Sequence, residues 1–326
     1  MSVPLCGLAW RSPLPEWLND FPLMQIKSPR RIIGKLISIG GNVALGRSDM
    51  SYKSILAIVG VDQDARDLQV AVELCRELDA HLSVVVAQLA PPPPMGDAGI
   101  IATVWLEQSR AEQDRLEADV VRLNMLLSQT GISFSAEGMF GPMANAGDDL
   151  GERARYSDLT IIGAALKFDP DLKSRAVDGC LFNSARPILL MPETGTASLR
   201  PKTVMIAWDS SLEAARAVGA ALDLIIQAET VHVVLVDPKA ATRENGEEPG
   251  ADIARYLARY SDAVSIDRIP SMGRPVAEVL QQHAADISAG VVVMGAYGHS
   301  RIRERIFGGA TRSMIEGVAV PVFMVH

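Results

Sequence analysis

Four glycines near the C-terminus have the spacing of a loop that could bind a phosphate group. Gly295 and Gly298 have two residues between them. Nine further residues then precede the adjacent Gly308 and Gly309. Glycine permits positive φ and lets backbone N–H groups approach a ligand closely, and the N-terminus of a following helix adds partial positive charge. The alternative is that these glycines only shape a tight turn between a strand and a helix.

The flanking residues predict the elements that would position such a loop. The apolar run at 291–294 predicts a buried strand before it, and the residues after Gly309 predict an amphipathic helix. A second apolar run at 320–325 predicts a closing strand. A strand, a glycine loop and a helix in this order form the arrangement that presents backbone N–H groups to an anion. These elements by themselves leave both interpretations of the glycines open.

The pattern Gly-x2-Gly-x9-Gly after a valine-rich strand, followed by a helix and the strand Val320-Pro-Val-Phe-Met-Val325, resembles the universal stress protein family. The resemblance covers residues 52–326 as two copies. Members of this family are doubly wound α/β domains, and many of them bind ATP on this loop. The resemblance therefore implies a stress-response protein that binds ATP or a related adenine nucleotide, with or without Mg²⁺, and acts through partners.

By position in the family's pattern, the resemblance implies a set of nucleotide contacts in the second copy. They are Ala207, Asp209, Leu235, Met294, Gly295, Gly298, Gly308, Gly309, Ala310 and Thr311. Asp209 could accept ribose or adenine hydrogen bonds at the end of a strand, or could equally cap the helix that begins near residue 212, a role that Ser210 or Ser211 could also fill. Gly309 stands where nucleotide-binding members usually have serine or threonine, and Thr311 could supply a hydroxyl two positions later. The basic residues of the loop could hold phosphates or form a solvated face; they are Arg301, Arg303 and Arg305.

The chain repeats itself, which supports a tandem organisation independently of any family. Residues 202–209 open the second half as residues 53–60 open the first, and each half closes with a proline and an apolar strand. A copy of about 130 to 150 residues is a common domain size. The alternation of strands and helices predicts an α/β fold of two tandem doubly wound, parallel-sheet domains, Rossmann-like and similar to adenine nucleotide alpha-hydrolases. The predicted domains are 50–195 and 198–326.

The last strands of the two copies, 187–191 and 320–325, are expected at the edges of their sheets. Exposed edges are templates for further pairing unless something covers them. A tandem chain can join both edges internally, because its linker keeps the two copies at high effective concentration. We therefore expect an intramolecular pseudo-dimer whose two edges pair antiparallel.

The glycine loop of the first copy has decayed. Leu166 stands where the second glycine after Gly163 should be, and Gly60 replaces the aspartate found at Asp209. Three carboxylates nearby would also repel phosphate; they are Asp169, Asp171 and Asp178. We expect one nucleotide per chain, bound in the second domain.

Composition excludes several other classes of protein. A net charge of −8 argues against binding to nucleic acid or to an anionic membrane. No uncharged apolar run is long enough to suggest a membrane span. Three cysteines without CxxC spacing suit reduced thiols in a cytoplasm, so we expect a cytoplasmic protein. Residues 1–49 match neither copy and are expected to be a flexible extension, or to lie upstream of the true start codon, since Met50 directly precedes the first predicted strand.

The sequence contains no recognisable catalytic or metal-binding motif. The five histidines lack HExxH or similar spacing, and His232 on a valine-rich strand is expected to be a satisfied core or edge residue. No catalytic residue and no metal ligand is predicted. Two alternatives to a nucleotide-binding stress protein remain: a partner-binding module without nucleotide, and a slow ATPase or autophosphorylating protein. The enzyme ranks last, because no general base with Mg²⁺ ligands beside the loop can be identified.

Overall fold

The computed structural model describes the chain in six segments, all within one compact unit, Arg47–His326. The segments are 51–63, 66–94, 99–194, 197–238, 248–297 and 309–326. The predicted extension 1–49 and the predicted site residues Gly298 and Gly308 lie outside these described residues.

The described residues contain ten strands. They are β1 Ser54–Gly60, β2 His81–Ala90, β3 Phe134–Pro142, β4 Leu159–Ile162, β5 Ile188–Leu190, β6 Thr203–Ala207, β7 Thr230–Val236, β8 Val264–Ile269, β9 Val291–Gly295 and β10 Val322–Val325. All belong to one sheet, in the order β3-β2-β1-β4-β5-β10-β9-β6-β7-β8.

The helices of the described residues alternate with these strands. They are α1 Arg66–Leu78, α2 Gly99–Ser128, α3 Met143–Ala154, α4 Pro170–Asn183, α5 Leu212–Ala220, α6 Leu222–Gln227, α7 Ala251–Leu257, α8 Val276–Asp286 and α9 Gly309–Glu316. A short 3-10 helix, Ala164–Phe168, follows β4. None of these helices has both the length and the apolar character needed to cross a membrane.

The two halves of the sheet have the same internal order. Strands β3-β2-β1-β4-β5 correspond to β8-β7-β6-β9-β10, and every pair within a half is parallel. The predicted α/β fold with parallel sheets is confirmed. The halves meet where β10 pairs antiparallel with β5, with Phe323 opposite Leu189. One continuous sheet therefore runs through both copies of the repeat.

Helices cover both faces of this sheet, which explains why its central strands are almost continuously apolar. Successive side chains of a strand point to opposite faces. In β9, Val293 enters one hydrophobic core and Met294 the other. Each core draws residues from both halves; Leu189 and Phe323, for example, share the core of Val293. The two copies are thus joined by packing on both faces as well as by hydrogen bonds.

Helices α3 and α4 approach each other closely in the first half. A Cβ added at Gly179 would overlap the carbonyl oxygen of Gly147 and lie 2.7 Å from its carbonyl carbon. A Cβ at Gly151 would lie 2.7 Å from the Cβ of Asn183. The obstacle at Gly179 is backbone, which cannot rotate away as a flexible side chain would. Glycine at this crossing is therefore required by the distance between the helices.

Candidate functional site

A cavity of about 270 Å³ opens at the carboxyl ends of β6, β7 and β9. Its lining residues are Ala207, Trp208, Asp209, Val234, Leu235, Val236, Asp237, Pro238, Val276, Leu280, Met294, Gly295, Ala310 and Thr311. Strand β6 lies between β7 and β9 in the sheet. The chain continues from β6 to β7 on one side and later places β9 on the other side of β6. Ligands of open α/β sheets bind at such a switch point, outside the carboxyl ends of the strands.

Seven of the ten residues predicted from the sequence line this cavity: Ala207, Asp209, Leu235, Met294, Gly295, Ala310 and Thr311. Gly309 opens α9 but does not belong to the lining, and a Cβ added to it would meet nothing within 4 Å. The tertiary structure thus brings together residues from three strands and one helix that are up to about a hundred positions apart in the chain.

The apolar wall of the cavity combines strand and helix residues. Met294 and Leu280 are buried and belong to the same hydrophobic core. Val276 lies one turn before Leu280 on α8 and is 41% exposed, so it forms the outer end of this wall. The Leu235 side chain packs into the opposite core, so it points away from Met294. The sequence analysis missed α8, although its apolar residues at i and i+4 mark one helix face.

Asp209 lies at the polar rim, and the interpretation that it is the N-cap of α5 is wrong. Its Oδ1 accepts a hydrogen bond from the backbone N–H of Ser211 at 3.0 Å. Ser211, not Asp209, is the N-cap of α5, because its hydroxyl oxygen accepts from the N–H of Ala214 at 3.1 Å. Asp209 is exposed at the mouth of the cavity. Its carboxylate therefore faces the space a ligand would enter.

A second carboxylate, Asp237, lies at the same rim and was not predicted. It follows β7 in a left-handed conformation with φ of 48°, and its Oδ1 accepts from the N–H of Ser271 at 2.9 Å. Hydrogen bonds from the Ser271 side chain and backbone lower the pKa of Asp237 below its ordinary value. The sequence signal was an Asp-Pro pair directly after an apolar strand, which commonly marks a turn. The rim thus carries two acidic side chains, Asp209 and Asp237.

Gly295 is needed for packing rather than for an unusual backbone angle. A Cβ at this position would lie 2.5 Å from the backbone nitrogen of Ala214 and 2.6 Å from the carbonyl carbon of Glu213. Both atoms belong to the first turn of α5, which crosses directly over the end of β9. Any side chain at Gly295 would push α5 away from the sheet and distort the cavity.

The first turn of helix α9 faces the cavity, where Ala310 and Thr311 form part of the lining. Thr311 is buried, and its hydroxyl oxygen accepts from the N–H of Tyr297 at 3.3 Å. Tyr297 has φ of 60°, which is uncommon for a non-glycine residue. The centroid of its ring lies 5.1 Å from the centroid of the Phe182 ring in the first half. The hydroxyl of Thr311 therefore ties the start of α9 to the segment that leaves β9.

In the first half, strand β4 corresponds to β9 and is followed by the 3-10 helix Ala164–Phe168. The carboxylate of Asp67 lies against Gly163, so that an added Cβ would sit 2.7 Å from the Cβ of Asp67. Asp67 Oδ2 accepts the N–H of Ala165 at 2.8 Å. Leu166, in the 3-10 helix, is completely buried. The backbone N–H of Ala165, which could otherwise donate to a phosphate, thus donates to the carboxylate of Asp67. Leu166, a core residue, stands where the second glycine would be.

Comparison with known proteins places these features in a family context. The Universal stress protein family model matches residues 201–326. A universal stress protein from Archaeoglobus fulgidus DSM 4304 is similar in structure, with TM-score 0.59 and 13% identity over 83% of this chain and 95% of that one. A Pseudomonas aeruginosa UCBPP-PA14 protein, provisionally named a universal stress protein, matches with TM-score 0.50 and 17% identity over 84% and 93% of the two chains.

A shorter structure also matches part of the chain. It is the universal stress protein from Archaeoglobus fulgidus in complex with dAMP, with TM-score 0.26 and 19% identity over 43% of this chain and 98% of that one. No curated protein matches the sequence at a significant level. The matches to the longer structures extend over both halves of the chain and indicate the fold.

Proposed function

Residues 201–326 belong to the universal stress protein family, and on that premise we propose that the chain binds one molecule of ATP or a related adenine nucleotide in the cavity of its second half. The observation that carries the proposal is the cavity at the β6–β9 switch point, lined by residues from β6, β7, β9 and α9. Nucleotide occupancy would then be read by protein partners in a cytoplasmic stress response.

The chemistry of the lining supports an orientation for the nucleotide. Adenine, which is flat and largely apolar, fits the wall formed by Met294, Leu280 and Val276. The phosphates fit the opposite side, where the first turn of α9 offers backbone N–H groups and the positive end of its dipole. Asp209 would repel phosphate but can accept hydrogen bonds from ribose hydroxyls. Mg²⁺ would accompany the phosphates as it does for ATP in water.

We expect one nucleotide per chain. The first half should contribute none, because the carboxylate of Asp67 already accepts the N–H of Ala165 and Leu166 fills the core. Mass spectrometry of denatured full-length protein should detect copurified adenine nucleotide. Calorimetric titration of nucleotide-free protein with ATP, ADP and AMP should give a stoichiometry of one. A stoichiometry of two would contradict the assignment to one half. No heat and no copurified nucleotide would favour a partner-binding module without ligand.

We further propose that 50–195 and 198–326 are two domains that form an intramolecular pseudo-dimer. The antiparallel pairing of β5 with β10 and the shared cores support this interpretation. Without the first half, β10, which contains the buried Phe323, would become an unpaired apolar edge.

The fragment 198–326, expressed alone, should therefore form a homodimer through β10. Light scattering during size-exclusion chromatography should give twice the fragment mass, and hydrogen exchange should show Val322–Val325 protected in the dimer. In the full-length chain the same strand should be protected without any dimer. A monomeric fragment with a folded circular dichroism spectrum would contradict the proposal.

A further inference from the structure

Three side chains on neighbouring elements of the second half converge away from the nucleotide cavity. They are His232 on β7, Asp267 on β8 and His283 on α8. His232 Nδ1 lies 2.8 Å and His283 Nε2 lies 2.9 Å from the same oxygen, Asp267 Oδ2. The hydroxyl oxygen of Ser265 lies 3.0 Å from His232 Nδ1. One atom from each of the three residues thus lies within 4.8 Å of the others.

The fold explains why these residues meet. His232 is opposite Ser265 in the β7–β8 register. Asp267 is two residues further along β8, so its side chain lies on the same face of the sheet as that of Ser265. Helix α8 covers that face and brings His283 to the carboxylate from above. His232 and Asp267 are 35 residues apart and Asp267 and His283 are 16 apart, so no motif spacing could reveal the cluster.

The cluster is partly shielded from water but accessible. The side chains of His232, Asp267 and His283 are 23%, 25% and 20% exposed. A carboxylate oxygen and two imidazole nitrogens are therefore close together and within reach of the solvent.

We propose that His232, Asp267 and His283 bind a divalent transition-metal ion, with Zn²⁺ as the preferred ion. Two imidazole nitrogens and one carboxylate oxygen form a donor set that suits Zn²⁺ far better than Mg²⁺ or Ca²⁺, which select oxygen ligands. Three protein ligands leave the fourth tetrahedral position open to water or to the hydroxyl of Ser265. The ion would replace the two hydrogen bonds that now join the histidines to the carboxylate.

The distances between the histidine nitrogens and the carboxylate oxygen require only a small expansion. Ligand atoms about 2.0 to 2.1 Å from a tetrahedral Zn²⁺ are about 3.3 Å apart. The two histidine nitrogens now lie 2.8 and 2.9 Å from Asp267 Oδ2, so each must move outward by about half an ångström. The His232 and His283 rings have centroids 6.5 Å apart and are nearly perpendicular, at 75°. They therefore approach the centre from different directions and do not stack on each other.

The first half of the chain lacks the donor set, although its sheet has the same register. Leu82 is opposite Phe134 as Val231 is opposite Val264, so Ser83 and Glu137 occupy the positions of His232 and Asp267. Glu137 is instead paired with Arg153 at 2.5 Å. The proposed metal site belongs to the second half alone and does not depend on nucleotide binding.

The test is a calorimetric titration of the EDTA-treated, full-length protein with ZnCl₂. We expect saturation at one Zn²⁺ per chain, and Co²⁺ in its place should give the visible absorption of a tetrahedral complex. Asp267→Asn and His283→Asn should each weaken Zn²⁺ binding at least about tenfold and abolish the Co²⁺ spectrum. His81→Asn is the matched control, because the His81 ring lies in the first half and its two nitrogens are within hydrogen-bond distance of the hydroxyls of Ser133 and Ser135.

Bound Zn²⁺ should also raise the melting temperature of the wild-type protein and of His81→Asn, because it stabilises only the folded state. Melting curves without metal establish that each variant folds. A wild-type protein that takes up no Zn²⁺, or variants at Asp267 and His283 that bind it with unchanged affinity, would overturn the proposal.

Discussion

Replacing Ala310 by aspartate is expected to weaken adenine-nucleotide binding by at least tenfold. Ala310 is the second residue of α9 and lines the cavity on the side proposed for the phosphates. Two like charges about 4 Å apart repel each other by roughly 4 kcal/mol at an effective dielectric constant near 20, and screening by solvent reduces this value. An aspartate in the first turn of a helix is favourable for the helix itself. The loss should therefore appear in affinity and not in folding.

Ala310→Asn is the matched control, because asparagine has the shape of aspartate without its charge. Calorimetry with ATP, ADP and AMP should give a loss for the aspartate variant that grows with the number of phosphates. The asparagine variant should lose much less. Equal losses in both variants would indicate steric exclusion and contradict the assignment of the phosphates to α9. Unchanged affinity in both would contradict the proposed site.

Gly179→Ala is expected to destabilise the folded chain by about 3 kcal/mol, the upper part of the range for an overpacked core. The new methyl group would overlap the carbonyl oxygen of Gly147 across the α3–α4 crossing. Because the obstacle is backbone, the two helices must separate, and buried contacts of Cys180 and Leu150 would loosen with them. The midpoint of urea unfolding should fall, and the melting temperature should drop by about 5 °C or more.

Gly219→Ala provides the control for this substitution. Gly219 is an exposed residue of α5, and a Cβ added there would meet nothing within 4 Å. Alanine has the higher helix propensity, so this variant should be neutral or more stable by about 0.5 kcal/mol. If both variants unfold at the same denaturant concentration, the close approach of α3 and α4 does not constrain the fold.

Much of the architecture could be predicted because it follows from local patterns of apolar residues and from the repeat in the sequence. The apolar runs at 291–294 and 320–325 became β9 and β10, since a strand buried on both faces must be apolar throughout. The repeat indicated that the final strands of the two copies would pair, and Phe323 does lie opposite Leu189. The switch point of a doubly wound sheet then determines where a ligand cavity forms. This is why seven of the residues that the family resemblance implied line one cavity.

Other features were decided only by tertiary structure, because they depend on which side chains arrive from distant parts of the chain. From the sequence it could not be decided that Ser211 caps α5. Nor could it be predicted that the carboxylate of Asp67 accepts the N–H of Ala165. It also predicted no metal ligand, whereas β7, β8 and α8 bring His232 close to Asp267. Such contacts follow from strand order and helix position, which no local periodicity encodes. They arise only when the strands have paired and the helices have packed against the sheet.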